Sequence, residues 1–171
     1  LHDAKKAGCE YVFLEVTSEG IKQFRHRFIK FYAAIFTNLS GEHLEAHGGF
    51  ENYRQAKGEL FKTAPLAILN GDDANFEYFY KISPGEKIVY VAGDYPTDLK
   101  LKISGEFNRM NAVAAMTFAK REGVPLEVSK RALEKIEILP GRMEFIETGK
   151  NFKVLVDYAF LPQALKLAYG E

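Results

Sequence analysis

Residues 37–57 read TNLSGEHLEAHGGFENYRQAK and set Glu42, His43, Glu45, His47 and Lys57 directly after the apolar run Ala33-Ala34-Ile35-Phe36. Acidic and imidazole groups at the C-terminal end of a buried strand are where open α/β sheets place ligand chemistry. His43 and His47 stand at i and i+4 and would share a helix face. The zinc-peptidase signature, however, needs Glu directly after the first His. Here Leu44 stands there, so a zinc peptidase is not expected. The plainer alternative makes both histidines loop residues held by backbone hydrogen bonds.

Two further residues carry potential chemistry. Glu15 lies in the run Tyr11-Val12-Phe13-Leu14-Glu15-Val16. An acid buried there without a partner would be costly. Either the strand ends early and Glu15 is solvated, or it is a hard oxygen ligand suited to Mg²⁺. Lys57 falls one helical turn after Tyr53 and one before Phe61. Such a lysine commonly snorkels to water. Partly desolvated, it becomes nucleophilic and could take up CO₂ as a carbamate, an anionic metal ligand.

The elements that must position these groups follow from apolar patterning. Residues 11–16, 33–36, 66–69 and 88–91 read as strands, the first of them buried, and residues 50–61 as a helix between the second and third. Residues 99–103 alternate like a strand with one wet face, and 2–5 read as the body of a helix. Residues 108–121, ended by Gly123 and Pro125, and 126–136 read as two helices. Pro140-Gly141 breaks regular structure. Beyond it, residues 144–146 and 152–156 read as strands and 162–169 as a short helix. Strands alternating with helices predict an α/β fold with a mostly parallel sheet flanked by helices.

Bulk properties narrow the class. The 171 residues are 47% hydrophobic and 27% charged, with a formal net charge of zero. That suits a soluble globular core and offers no basic face for nucleic acid. Cys9 is the single cysteine, which leaves no internal disulfide and no cysteine-based zinc site. No apolar run approaches the ~20 residues of a membrane helix. A Gly-x-x-x-x-Gly-Lys-Ser/Thr loop for a triphosphate does not occur.

Several segments keep a common order along the chain. They are Glu15-Val16-Thr17-Ser18, Gln23-Phe24-Arg25, Phe36 through Lys57, Asn70-Gly71-Asp72-Asp73, Phe107-Asn108-Arg109-Met110-Asn111-Ala112, Pro140-Gly141-Arg142-Met143-Glu144 and Val156-Asp157-Tyr158-Ala159. Together they resemble the Mur ligase family, the ATP-dependent amide-bond-forming enzymes of peptidoglycan precursor synthesis. The likeness is to the branch that adds a diamino acid to UDP-N-acetylmuramoyl-L-alanyl-D-glutamate. The segments are similar, in turn, to that branch's EVSS, QxR, FTNLxxDHLDYHGxxxxYxxAK, NADD, FNxxNxxAA, PGRME and VDYA motifs.

The resemblance implies a partial central ATP-binding domain over residues 1–139, truncated at its start. Residues 140–171 would begin a second, Rossmann-like C-terminal domain. It implies ATP and Mg²⁺ as cofactors, with Glu15 and His43 holding Mg²⁺ and a carbamylated Lys57 placing a second ion. Lys57 and His43 would thereby serve catalysis. Thr17, Gln23 and Arg25 would bind the UDP-muramoyl dipeptide. Asn108 and Asn111 would face adenine, and Arg142 and Asp157 the ribose and phosphates. The added amino acid would be diaminopimelate or lysine, and the parent a monomeric enzyme of the bacterial cytoplasm without nucleic-acid or membrane partners. The phosphate loop would lie before Leu1, so the 171 residues alone are expected to be inactive. Glu19, Glu42 and Phe160 depart from the family's His, Asp and His. A folylpolyglutamate or cyanophycin-type ligase, and a non-catalytic ligase-like binding module, are the alternatives.

Overall fold

The computed structural model describes residues 1–41, 44–159, 164–166 and 169, without the side chains of Leu44 and Ala46. Three strands form a parallel sheet in the order β1-β2-β3: β1 (Ala33–Phe36), β2 (Leu66–Asn70) and β3 (Glu86–Tyr90). All of β2 is buried, as a central strand covered on both faces must be, and its composition is accordingly apolar almost throughout.

Strand alternation sorts the core into two layers. Ala34, Phe36, Ala67 and Leu69 face one way, against Tyr53 of α4 (Phe50–Gly58) and Phe79 of α5 (Phe76–Ile82). Leu66 and Ile68 face the other way, against Val113, Ala114 and Met116 of α6 (Glu106–Arg121). The parallel sheet flanked by helices is the expected α/β class. The shorter helices are α1 (His2–Lys6), α2 (Ser18–Lys22), α3 (Leu44–His47) and α7 (Leu126–Leu133). Strands β4 (Glu144–Ile146) and β5 (Val154–Val156) pair antiparallel in a separate two-stranded sheet. No helix among the described residues is long and apolar enough to cross a membrane.

Two expected strands are absent. Residues 11–16 form no ladder, and Tyr11, Val12, Phe13 and Leu14 are exposed rather than buried. Their β-prone composition has no neighbouring strand to pair with, and a strand is defined by its partner. Residues 99–103 also lack a ladder. There the Leu99 carbonyl accepts from the Tyr95 hydroxyl and the Lys100 amide donates to Glu134, while Leu99 is buried. The alternation reported burial correctly but not pairing. Helices α4 and α7 also end earlier than the apolar pattern suggested.

Tyr90 locks the sheet's C-terminal edge. It is 1% exposed, and from β3 its hydroxyl reaches across β2 to donate to the Phe36 carbonyl at 3.0 Å. Burial foremost, with the nearby Asp73 carboxylate, pushes its pKa well above the usual phenol range. Replacing Tyr90 by Phe removes that donor and is expected to cost about 1–2 kcal/mol in urea unfolding. The same bond has a pH signature. A raised folded pKa holds its stability below the unfolded phenol pKa of ~10 and loses it as pH rises beyond. The alkaline loss is therefore expected to be smaller in Tyr90→Phe than in the native protein.

Candidate functional site

The C-terminal edge of the sheet is built by a network of short side chains. Asn70 ends β2 and donates its amide to the Thr37 carbonyl at 2.7 Å, just past β1. Asp73 accepts from the Leu39 amide at 3.0 Å, and the Asn75 amide donates to the Leu39 carbonyl at 3.3 Å. Asp72 turns the other way and accepts from the Ala92 amide, after β3, at 2.6 Å. The Asn70-Gly71-Asp72-Asp73 turn thus staples the loops after all three strands. Gly71 packs closely at its centre, where a Cβ would lie 2.9 Å from a Val89 methyl and displace it.

Beyond this edge, β1 leads to Thr37 and Asn38, both exposed. His47 is 8% exposed, with Nε2 3.1 Å from the Ser18 hydroxyl and its carbonyl accepting from Asn52. His47 thus ends helix α3 with its ring against a side-chain hydroxyl, not in a loop on backbone partners. Gly48 and Gly49 follow with φ of +70° and +125°, left-handed values that glycine adopts without a Cβ clash. This sharp reversal starts α4, which carries Lys57 back toward the sheet edge.

Glu15, Thr37, Asn38 and Lys57 line one cavity of about 680 Å³. Glu15 is exposed and Lys57 half-buried, so Glu15 is a solvated carboxylate rather than a buried one. His43 and Glu42 lie outside the described residues, as do Phe160 and residues 162, 163, 167 and 168 of the expected helix. Among the described residues, no three His, Cys, Asp or Glu side chains converge to hold a metal. Glu15 offers a hard oxygen suited to Mg²⁺. Its site would need donors from Lys57 as a carbamate and from His43.

The other expected site residues fall into separate groups. Thr17 caps α2 by accepting from the Gly20 amide at 3.0 Å. Gln23 and Arg25 follow that helix, both exposed, and flank Phe24 at φ +58°. A bulky residue rarely adopts that backbone. On α6, Asn108 is buried and donates to the Ser104 carbonyl, whereas Asn111 is exposed. Arg142 lies over the Tyr158 ring at 5.2 Å. Asp157 accepts from the Met143 and Ala159 amides, each at 2.7 Å. Arg142 and Asp157 therefore share one clasp, closed by the Tyr158 amide on the Gly141 carbonyl. The structure brings Glu15 and Lys57 to one cavity and leaves the α6 asparagines and this clasp outside its lining. Sequence reasoning missed the Ser18–His47 contact, whose only signal was a hydroxyl and an imidazole far apart in the chain.

Known proteins resemble the chain in sequence and in fold. The family described as "Mur ligase middle domain" matches residues 1–94. The chain is 34% identical to the UDP-N-acetylmuramyl-tripeptide synthetase of Roseiflexus sp. (strain RS-1), over 97% of this chain and 41% of that protein. It is 32% identical to the UDP-N-acetylmuramoyl-L-alanyl-D-glutamate--2,6-diaminopimelate ligase of Syntrophomonas wolfei, over 92% of this chain and 38% of that protein. A solved structure of a UDP-N-acetylmuramoyl-L-alanyl-D-glutamate--2,6-diaminopimelate ligase superposes with a TM-score of 0.76 at 28% identity, covering 96% of this chain and 40% of its own. The chain spans about two-fifths of the length of the curated relatives it matches.

Proposed function

The chain belongs to the Mur ligase family, and on that premise we propose that the whole protein is an ATP-dependent ligase joining an amino acid to UDP-N-acetylmuramoyl-L-alanyl-D-glutamate. In this reading the amino acid is diaminopimelate or lysine. A substrate carboxylate oxygen attacks the γ-phosphorus of ATP and releases ADP, which leaves an acyl phosphate. The incoming amine then attacks the acyl carbon, phosphate leaves, and the amine gives up a proton as the amide forms.

The observation that carries this reading is the shared cavity of Glu15, Thr37, Asn38 and Lys57 at the sheet's C-terminal edge. Open parallel sheets bind ligands at that edge. Mg²⁺, when bound, offsets charge on the phosphoryl oxygens. Glu15, His43 and a carbamylated Lys57 are the residues this reading assigns to hold it. Thr17, Gln23 and Arg25 orient the nucleotide-sugar peptide, Asn108 and Asn111 face adenine, and Arg142 and Asp157 meet the ribose and phosphates. Residues 1–139 then belong to the central domain and 140–171 open the next, consistent with the separate β4–β5 sheet. In this reading the protein works in the bacterial cytoplasm as a monomer.

The test is phosphate release by the whole protein with ATP, UDP-muramoyl dipeptide and either diaminopimelate or lysine. Release dependent on both the dipeptide and one of these amines is expected. Turnover with a folate and glutamate instead would overturn the muramoyl assignment, and no turnover with either would overturn the ligase itself.

A further inference from the structure

Lysine is among the residue types least often buried, yet Lys130 on α7 is 8% exposed. Two carboxylates hold its ammonium. Glu127, one turn earlier on α7, lies 3.1 Å from Nζ, and Asp98, in the connection from β3 to α6, is the second partner. Both carboxylates are largely exposed at the side chain, so the desolvated member is the lysine. An ion pair between two exposed side chains contributes little. Here, loss of Asp98 leaves a nearly buried ammonium short of an acceptor, which is costly.

Lys130 is the first of a series. Along the connection, residues 98, 100 and 102 each meet α7 or the turns after it. Asp98 accepts from Lys130, the Lys100 amide donates to Glu134 at 3.3 Å, and Lys102 pairs with Glu137 at 2.6 Å. An extended segment presents alternate residues to one side, and a helix presents residues three or four apart. The two periods meet, so residues 99–103 alternate in sequence yet form no ladder.

This clamped connection reaches the start of α6 by two routes. The Leu99 amide donates to the Pro96 carbonyl at 3.1 Å, and the Tyr95 hydroxyl donates to the Leu99 carbonyl at 3.0 Å, which closes a turn around Asp98. The Arg109 guanidinium of α6 lies over the Tyr95 ring at 5.3 Å. Farther along, the Ser104 carbonyl accepts from the Asn108 side chain. Buried Leu99 packs in one cluster with Val113 and Ala114 of α6, with Tyr95, Leu101 and Leu133 against it.

From this geometry we infer that Lys130 is a positioning residue for the base-binding end of the nucleotide site. It fixes the turn of residues 96–99. Through Tyr95 and Ser104 that turn sets the first turns of α6, which carry Asn108 and Asn111. This role rests on the assignment of those asparagines to adenine. Lys130 itself touches no nucleotide, and its effect falls on the base rather than on the phosphates.

Calorimetric titration of the whole protein with ADP, and with inorganic tripolyphosphate, which lacks the base, tests this. Lys130→Met keeps the apolar stem and releases two exposed carboxylates to water, so no buried charge is orphaned. It is expected to weaken ADP binding about tenfold and to leave tripolyphosphate within about twofold, the scale of coupling through packed side chains. Asp98→Ala, at an exposed position, is expected to do the same. The double variant should lose no more than either single change, because both break one link. Glu127→Gln keeps Asp98 on Lys130 and is expected to leave ADP binding at its native value. A lysine that only stabilises α7 would lower the thermal unfolding midpoint and leave the ratio of ADP to tripolyphosphate affinity unchanged. That ratio, unchanged in Lys130→Met, would overturn the role, and if Lys130→Met does not fold, Asp98→Ala decides. Asn111→Ala separates the two ways of failing. ADP weakened by Asn111→Ala but by neither Lys130→Met nor Asp98→Ala ends the role of Lys130 alone. ADP untouched by Asn111→Ala ends the adenine assignment and the role of Lys130 with it.

Discussion

Replacing Lys57 by alanine in the whole protein is expected to lower kcat by at least about 100-fold, the scale of losing one preorganised electrostatic group. Helix α4 holds Lys57 half-buried, facing the cavity that Glu15 shares. The stated role requires an anion. The neutral amine nitrogen bonds to CO₂ and loses a proton, which leaves a carbamate where a cation stood. Charge therefore decides the experiment. Lys57→Glu, which restores an anion, is expected to recover part of the activity, and Lys57→Arg to recover none. Native mass spectrometry in bicarbonate is expected to show the mass of one added CO₂ on the native protein and not on Lys57→Ala. A fully active Lys57→Ala would remove the residue from the mechanism, and an active Lys57→Arg would mean that a cation suffices. Thermal unfolding serves as the control, because a half-buried side chain at the end of α4 carries little of the core.

Strand β2 was legible because burial on both faces leaves a continuous apolar run. Every one of residues 66–69 is buried. Residues 11–16 carry the same signal and make no ladder. Composition reports what a segment would do beside a partner, and pairing depends on residues far away in the chain. Helices α2, α3 and α5 escaped for another reason. They have 5, 4 and 7 residues, too few turns for a helical period to stand out. The site divides in the same way. Motif order marked residues 37–57 and the Asn70-Gly71-Asp72-Asp73 turn as belonging together. The stapling by Asp72 and Asp73 of loops on opposite sides of β2 could not be read, because each carboxylate's partner is a backbone amide that any residue type could supply.

Phe79→Ala is expected to be the most destabilising single change among these elements, at about 3–5 kcal/mol. Phe79 is 0% exposed. Its ring stacks on Phe36 with centroids 4.0 Å apart and meets Phe61 edge-on at 4.9 Å. Truncation therefore empties space beside rings fixed by β1 and by the turn after α4, where neighbours can collapse only partly. Against a total stability of ~5–15 kcal/mol such a loss is large. In urea the midpoint should fall with the slope unchanged, and Phe79→Leu, which leaves a smaller void, should lose less. A loss below about 1 kcal/mol for Phe79→Ala would mean that the core relaxes around the gap. The functional consequence runs through Phe36, the last residue of β1. Its ring loses its stacking partner, but Phe36 stays paired with Leu69 of β2, so Thr37 and Asn38 keep their place at the cavity while the fold holds. Lys57→Ala should therefore lower kcat in a protein that unfolds normally. Phe79→Ala should leave its folded fraction catalytically competent at low temperature, and activity should disappear with the fold on warming.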